Sequence, residues 1–281
     1  MTKSTETDTT IDSASFESIA RLTYNESGLQ LATEKKSMIQ SRLRHRLRAL
    51  DLEDFKQYTA LVCSDSGRDE RKHMISALTT NVSHFFREAH HFDILTNNLE
   101  NNLIPRLKSG GAVRIWSAGC SNGQEAFSIA MTLLELLPDA EKYNVRILAT
   151  DIDSKVVRHA QAARYSDRLT SGIPDRFLNK FFVKDVIDEE KIYTATNCLT
   201  NLVSFKELNL LGNWPMKQKM DVIFCRNVVI YFDLETQNAL WPRFHQSLNS
   251  DGHLFLGHSE RIADPQLAGF RTDGPTTYRP L

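Results

Sequence analysis

The chain has 281 residues, 41% hydrophobic and 25% charged, with a formal net charge of −1 at pH 7. That usage suits a soluble globular protein with an ample core and excludes a fibrous or wholly disordered chain. Near-neutral charge also excludes a generic polyanion binder, so nucleic acid is not an expected partner.

The opening residues 1–12 are polar and rich in Thr, Ser and Asp, which predicts a flexible tail and no secretory signal. From Ser13 to Thr80 apolar residues recur at helical spacing: Phe16 with Ile19, Leu43 with Leu47, Phe55 with Tyr58 and Val62, Met74 with Leu78. Breaks at Asn25 to Gly28, around Asp51, and through Ser64 to Gly67 divide this stretch into roughly four helices. In KKSMIQSRLRHRLRAL, Leu43 and Leu47 define a buried stripe flanked by Arg42 and Arg46 on one side and Arg44 and Arg48 on the other. Such a helix is either a solvated face of snorkelling arginines or a docking surface for an acidic partner.

The segment TTNVSHFFREAHHF, Thr79 to Phe92, carries Phe85, Phe86 and Phe92 between polar side chains and leads from the helical region into the rest. One reading packs the aromatics at a junction and leaves Arg87 and Glu88 as a solvated pair; the other sends Asn81, Ser83 and Arg87 into a binding site. His84, His90 and His91 would serve as metal ligands only if a carboxylate or cysteine joined them, and nothing near supplies HExxH spacing, so no metal is expected.

From Val113 the texture becomes βαβα: VRIWSA, QEAFSIAMTLLELL, VRILATDID, then SKVVRHAQAARY, the pattern of a parallel sheet in an α/β domain. Between Phe181 and Asn209 short stretches such as KIYTA and LVSFKELN are too brief for a crossover helix and predict a small antiparallel excursion. The series resumes with DVIFC and HLFLGH, and FRTDGPTTYRPL is expected to close the sheet as a hairpin around Asp273-Gly274. No apolar run approaches 18 residues, so no membrane insertion is expected. Cys63, Cys120, Cys198 and Cys225 show none of the close pairing of zinc sites or disulfide scaffolds and fit a reducing cytoplasm.

Three loops concentrate chemistry at strand ends. After VRIWSA, Gly119-Cys-Ser-Asn-Gly123 lets backbone approach a ligand at a helix amino terminus, although it is not G-x-G-x-x-G, and a plain tight turn would look the same. Glu125, in the first turn of the following helix, can grip an ammonium group. After VRILAT, Asp151 and Asp153 can accept from two ribose hydroxyls or cap the next helix. After DVIF, Cys225, Arg226 and Asn227 emerge where ligands of open sheets bind, with Tyr231 and Asp233 beyond. Together they mark one nucleoside pocket for a ligand with an amino-acid end; the absence of a GxxxxGK[ST] loop argues against ATP or GTP.

TTNVSHFFRE, SAGCSNGQEAFSIAM, ATDID, LNLL at Leu208 to Leu211, FCRNVVIYF and LFLGHSE at Leu254 to Glu260, in this order, resemble the CheR family of chemotaxis receptor glutamate O-methyltransferases from about Phe16 to Tyr278. The resemblance implies an all-α domain over 13–80, a linker and junction helix over 81–98, and a Rossmann-like methyltransferase domain over 99–281 with an antiparallel subdomain inserted at about 180–208. It implies transfer of methyl from S-adenosylmethionine, leaving S-adenosylhomocysteine, to glutamates on the cytoplasmic helical bundle of methyl-accepting chemoreceptors. By motif match Asn81, Ser83, Arg87, Gly119, Glu125, Asp151, Asn209, Leu210, Arg226 and Asn227 are expected to bind the cofactor. Arg87 and Tyr231 are expected to be catalytic, with Arg42, Arg44, Arg46 and Arg48 as the receptor dock and the protein a cytoplasmic monomer. The family loop often reads Thr-Gly-Glu-Glu where this chain has Asn122-Gly123-Gln124-Glu125, and Ser83 replaces a common Thr. The alternative is a sensor of the same fold that binds the cofactor without transferring methyl.

Overall fold

The computed structural model describes residues 10–281. Of the expected tail, 1–9 lie outside the described residues, whereas Ile11 is buried and Asp12 caps the first helix by accepting from Ser15 N at 2.9 Å. Residues 11 and 12 are therefore part of the fold.

The chain divides into two compact units. The first runs through Thr80 and takes in Tyr231–Asp233. Its helices are α1 (Ser13–Ser27), α2 (Lys36–Ala49), α3 (Phe55–Cys63) and α4 (Arg68–Leu78). Asp54 caps α3 through Gln57 N, and Gly28 ends α1 in the left-handed conformation. The apolar stripes of the four helices meet in one core containing Phe16, Ile19, Ile39, Leu43, Leu47, Phe55, Tyr58, Val62, Met74 and Leu78. Tyr231 packs at the edge of that core, and its carbonyl accepts from Gln30 N at 3.1 Å.

The second unit comprises 81–230 and 234–281, so the stretch expected as a linker, 81–98, groups with it. It begins with α5 (Ala89–Asn98), which passes through a π-turn into α6 (Ile104–Lys108). Then follow β1 (Ala112–Ala118), α7 (Gln124–Leu136), β2 (Asn144–Asp151), α8 (Ser154–Ala162), β3 (Arg164–Ser166), α9 (Asp175–Phe181), β4 (Phe182–Ile187), β5 (Glu190–Ala195), α10 (Asn197–Thr200) and β6 (Val203–Glu207). The unit ends with β7 (Met220–Cys225), α11 (Leu234–Ser247), β8 (Leu248–Leu256), β9 (Phe270–Thr272) and β10 (Thr277–Pro280).

Seven strands form one sheet in the order β6-β2-β1-β7-β8-β10-β9. Strands β6, β2, β1, β7 and β8 run parallel, and β10 pairs antiparallel with β8 and β9. Every residue of β7 is buried, as expected of a central parallel strand covered on both faces. The expected hairpin forms, with Asp273 N donating to Thr277 O at 2.9 Å. A separate sheet, β3-β5-β4, is antiparallel. KIYTA lies in its central strand, but the sheet begins before the expected 180–208, since Arg164–Ser166, whose first two residues are expected to end a helix, form β3. It also ends sooner: VSFKE forms β6 and pairs parallel with β2, Ile147 opposite Val203. Successive strands diverge from β1, β2 to one side and β7 to the other, so the sheet order reverses there and a crevice opens at the carboxyl ends of these two strands.

Candidate active site

Around that crevice the expected binding residues of the second unit come together. Gly119 leaves β1 with φ 97°, and its N–H and that of Cys120 both donate to Thr150 O, at 2.7 and 2.8 Å. A Cβ on Gly119 would lie 2.2 Å from Val228 Cγ2, so only glycine lets this turn pass the loop after β7. Asp151, at the end of β2, spends its carboxylate on backbone: Oδ2 accepts from Ser121 N at 2.8 Å and Oδ1 from Asp153 N at 3.0 Å. Burial raises its pKa to about 6, against the lowering effect of those hydrogen bonds. Asp153 is the cap of α8, through Lys155 N at 2.9 Å, and also accepts from Asn81 Nδ2 at 2.7 Å. Of the two readings of this acidic pair, capping therefore falls to Asp153.

The segment 81–88 is woven into the glycine loop. Ser121 Oγ donates to Asn81 O at 2.8 Å, and Phe86 N donates to Ser128 Oγ at 3.0 Å. Phe85 is buried edge-on to Tyr165 and Phe182, 5.2 and 5.9 Å between centroids, so this aromatic packs within the second unit. Ser83 O lies 3.5 Å from Gln124 Nε2, and Arg87 Nη1 donates to Val82 O at 3.3 Å.

Arg226 is the electrostatic centre. Its side chain is 1% exposed and lies beside the stacked rings of Phe92 and Phe224, with Cζ 5.9 and 5.8 Å from their centroids. Nη1 pairs with Glu125 at 3.3 Å, and Nη2 pairs with Glu88 at 3.3 Å and donates to the Arg87 carbonyl. Glu125 also accepts from Ser117 Oγ at 2.6 Å. Burial pushes the pKa of Glu125 up despite Arg226. Glu88 is pushed up by burial too, but Arg226 and the hydrogen bonds from His258 outweigh this and hold it below the usual carboxylate range. His91, buried beside Glu88 and Arg226, is pushed down to about 4 by burial and by that cation, so it is neutral. Glu88 thus departs from the expected solvated pair: Arg87 Nε stands 3.9 Å away, while Arg226 and His258 hold the carboxylate.

On the β6 side, Asn209 Oδ1 accepts from Leu211 N at 2.9 Å, and the carbonyl of buried Leu210 accepts from Trp214 Nε1 and Arg243 Nη1, at 3.0 and 2.6 Å. Asn227 follows Arg226 in the left-handed conformation, φ 58°. The site residues that sequence reasoning missed are Ser117 and Glu88, and the only signal for them was proximity to Glu125 and Arg87.

Tyr231 and the arginine helix belong to the first unit. Here the dock expected from four arginines needs correction. Arg42 donates to the carbonyls of Leu78 and Thr79, 2.8 and 3.1 Å away, closing the end of α4. Arg46 makes a bidentate pair with buried Glu70, 2.9 and 2.6 Å, which also accepts from Tyr58 OH at 3.0 Å. Both guanidinium groups are committed inside the unit; Arg48 is exposed and Arg44 half-buried.

A fold with its glycine turn, buried acids and cation at a sheet reversal defines a Rossmann-like α/β protein built for a nucleoside carrying a charged end. The polar atoms there that are buried with no hydrogen-bond partner among the described residues include Arg226 Nε and Gln124 Oε1, and Glu125 is an acid whose burial invites a cation. That donor set fits S-adenosylmethionine, whose amino-acid end carries both signs of charge. Residues 81–274 match the family model described as CheR methyltransferase, SAM binding domain, and residues 14–79 match CheR methyltransferase, all-alpha domain. The probable chemotaxis protein methyltransferase of Rhizobium etli is 43% identical over 256 residues, covering 91% of this chain and 96% of that protein. The chemotaxis protein methyltransferase of Escherichia coli K12 is 37% identical over 269 residues, covering 95% and 91%. PKMT2 from Rickettsia typhi in complex with AdoHcy, a solved structure, is 16% identical over 58% of this chain and 24% of that chain, with a TM-score of 0.34. On the family models and the two full-length relatives, this chain belongs to the CheR methyltransferase family. It is an S-adenosylmethionine-dependent methyltransferase.

Proposed function

We propose that this chain methylates the side-chain carboxylates of specific glutamates on chemoreceptor cytoplasmic helices, forming methyl esters for sensory adaptation. The observation that carries the site reading is the Glu125–Arg226–Glu88 arrangement at the sheet reversal, beside the Gly119 turn. The substrate reading is supported by two relatives named as chemotaxis methyltransferases.

S-adenosylmethionine supplies a methyl group on a positively charged sulfur. Its holders are Asn81, Ser83, Arg87, Gly119, Glu125, Asp151, Asn209, Leu210, Arg226 and Asn227, with S-adenosylhomocysteine the product. Glutamate has an unperturbed pKa of about 4.3, so the accepting carboxylate is already ionised and needs no general base from the protein. Catalysis then rests on positioning: a site that holds the carboxylate in line gains from entropy already lost on binding. Arg87, committed among the described residues to a 3.3 Å bond to Val82 O and a distant Glu88, is assigned to orient that carboxylate. Tyr231 is the second residue assigned at the transferring methyl, by motif match. Receptor docking falls to α2 through Arg48 and Arg44, because Arg42 and Arg46 are used internally.

The test is transfer of labelled methyl from S-adenosylmethionine to purified receptor cytoplasmic fragments, followed by mild base. Base-labile label on glutamates is the expected result. Tight cofactor binding with no transfer to any cognate receptor would overturn the reading.

A further inference from the structure

The motif LFLGHSE ends in an acid that the cofactor site as read above leaves unused. Glu260 is 2% exposed, and no cationic side chain pairs with it among the described residues. Its carboxylate instead takes four backbone N–H groups. Oε1 accepts from Val228 and Ile230, at 2.8 and 3.2 Å, and Oε2 from Asn227 and Gly257, at 2.8 and 2.5 Å. Three of those donors belong to the loop that leaves β7, and the fourth to the exit of β8. Converging N–H dipoles of this kind neutralise a carboxylate as a nest does an anion.

The clamp fixes a sharp turn: Asn227 sits at φ 58°, left-handed backbone that favours glycine and that asparagine adopts more readily than most other side chains. On one side of the loop a Cβ at Gly257 would lie 2.6 Å from Asn227 Nδ2 and 2.8 Å from Glu260 Oε2, so the β8 exit must pass as bare backbone. On the other side Val228 Cγ2 stands where a Cβ of Gly119 would be. A shift of a few tenths of an ångström at Asn227–Val228 is therefore felt both by the Asn227 side chain and by the glycine turn of β1.

We infer that Glu260 is a positioning residue for the cofactor site: its carboxylate fixes the Asn227–Ile230 backbone, and through it the Asn227 side chain and the Val228 wall behind Gly119. The inference rests on the reading that Asn227 binds the cofactor. It gives Glu260 no contact with the cofactor.

Glu260→Gln keeps the shape but leaves one accepting oxygen and turns an NH2 group toward two of the four N–H donors, so part of the clamp is lost. The full chain is titrated with S-adenosylhomocysteine by calorimetry, and amide exchange at Asn227, Val228 and Ile230 is followed without ligand. Expected are a tenfold or greater loss of affinity and faster exchange at those amides. The KM for S-adenosylmethionine should rise by a similar factor, with kcat at saturation falling less than threefold. Asp221→Asn is the control for a purely structural acid. At the opposite end of β7 Asp221 accepts from Arg114 N and Asn249 Nδ2, at 2.7 and 2.6 Å, and its loss should lower Tm with affinity unchanged. If Glu260→Gln does not fold, Gly257→Ala, which pushes on the same loop, should show the same loss of affinity. Asn227→Ala separates the two levels. Affinity lost in Asn227→Ala but within twofold of wild type in Glu260→Gln, or in Gly257→Ala where that is measured instead, overturns the positioning role and leaves the site reading standing. Affinity unchanged in both overturns the site reading and the inference with it.

Discussion

Arg226→Met should be among the most damaging single changes in the second unit. The methionine keeps apolar contact with Phe92 and Phe224, so little packing is lost; what disappears is the cation shared by Glu125 and Glu88, each 3.3 Å away. Breaking a buried pair by removing one partner costs about 3–5 kcal/mol, because the remaining charge is left desolvated. For a unit of this size 1 kcal/mol moves Tm by about 2–4 °C, so a fall of about 6–20 °C is expected at pH 8. The pH dependence has a definite sign. Burial already holds the folded pKa of Glu125 above its unfolded value, and losing Arg226 raises it further. The variant's native state therefore takes up a proton before its unfolded chain does, and its stability improves as pH falls. In the wild type, Glu88 is held low, so its contribution is present above the unfolded pKa and lost only as pH drops toward the folded one. Down to pH 5.5 it is therefore Glu125 that narrows the gap between variant and wild type, while the Glu88 contribution is still in place. Calorimetric unfolding at pH 8 and pH 5.5 measures this. The double variant Arg226→Met/Glu125→Gln should recover about 1 kcal/mol or more, since the two residues are coupled. A Tm change under about 2 °C at pH 8, or a larger one that neither acid nor the second substitution relieves, refutes the reasoning.

Asp151 has a folded pKa of about 6, so affinity for S-adenosylhomocysteine should fall as pH drops from 7.5 to 5.5; Asp151→Asn should flatten that profile, and a flat wild-type titration counts against ribose recognition there. Acidification should at the same time stabilise the native state at this position, because the folded acid binds its proton before the unfolded one. Gly119→Ala should weaken binding more than tenfold with the circular dichroism unchanged, and Val228→Ala in the same chain should restore part of it by removing the 2.2 Å clash; full binding by the single variant sinks the close-approach argument. Arg44→Glu with Arg48→Glu should raise KM for the receptor and blunt its salt dependence, whereas Arg46→Met should lower Tm by orphaning Glu70; a receptor KM indifferent to the double charge reversal removes α2 from the dock. Arg87→Ala should lower turnover more than cofactor affinity, and equal losses in both would exclude a role in orienting the substrate carboxylate.

What could be read in advance followed periodicity. The run Val222–Cys225 is apolar without alternation and falls in a strand buried on both faces, and the helical spacing of Leu43 and Leu47 puts both in the core. What depended on a distant partner could not be read. LVSFKE is as short as a hairpin arm, and only its pairing with β2 makes it part of the main sheet. A helical wheel places Arg42 and Arg46 beside the buried stripe, but it does not show that the carboxyl end of α4 and Glu70 lie opposite. Glu88 looked like a solvated neighbour of Arg87 because the two adjoin in sequence. Left-handed backbone at Phe86 and Glu88, φ 52° and 57°, carries no sequence signature in non-glycine residues, and Glu88 pairs with Arg226 instead.

The acids of this site divide by what they hold, and that division bears on how the site binds. Asp151, Asp153 and Glu260 direct their carboxylates at least partly to backbone N–H groups of the loops after β1, β2 and β7. Glu125 and Glu88 face a cation. Loops are normally the least precise part of a fold, and a binding site on them loses affinity to the entropy of ordering them. Here the ordering is already done by buried hydrogen bonds that a ligand need not make. Amide exchange at Ser121, Asp153 and Asn227 should therefore be slow before cofactor is added and change little afterwards. Rapid exchange that cofactor suppresses would mean that the ligand, and not these carboxylates, sets the geometry of the site.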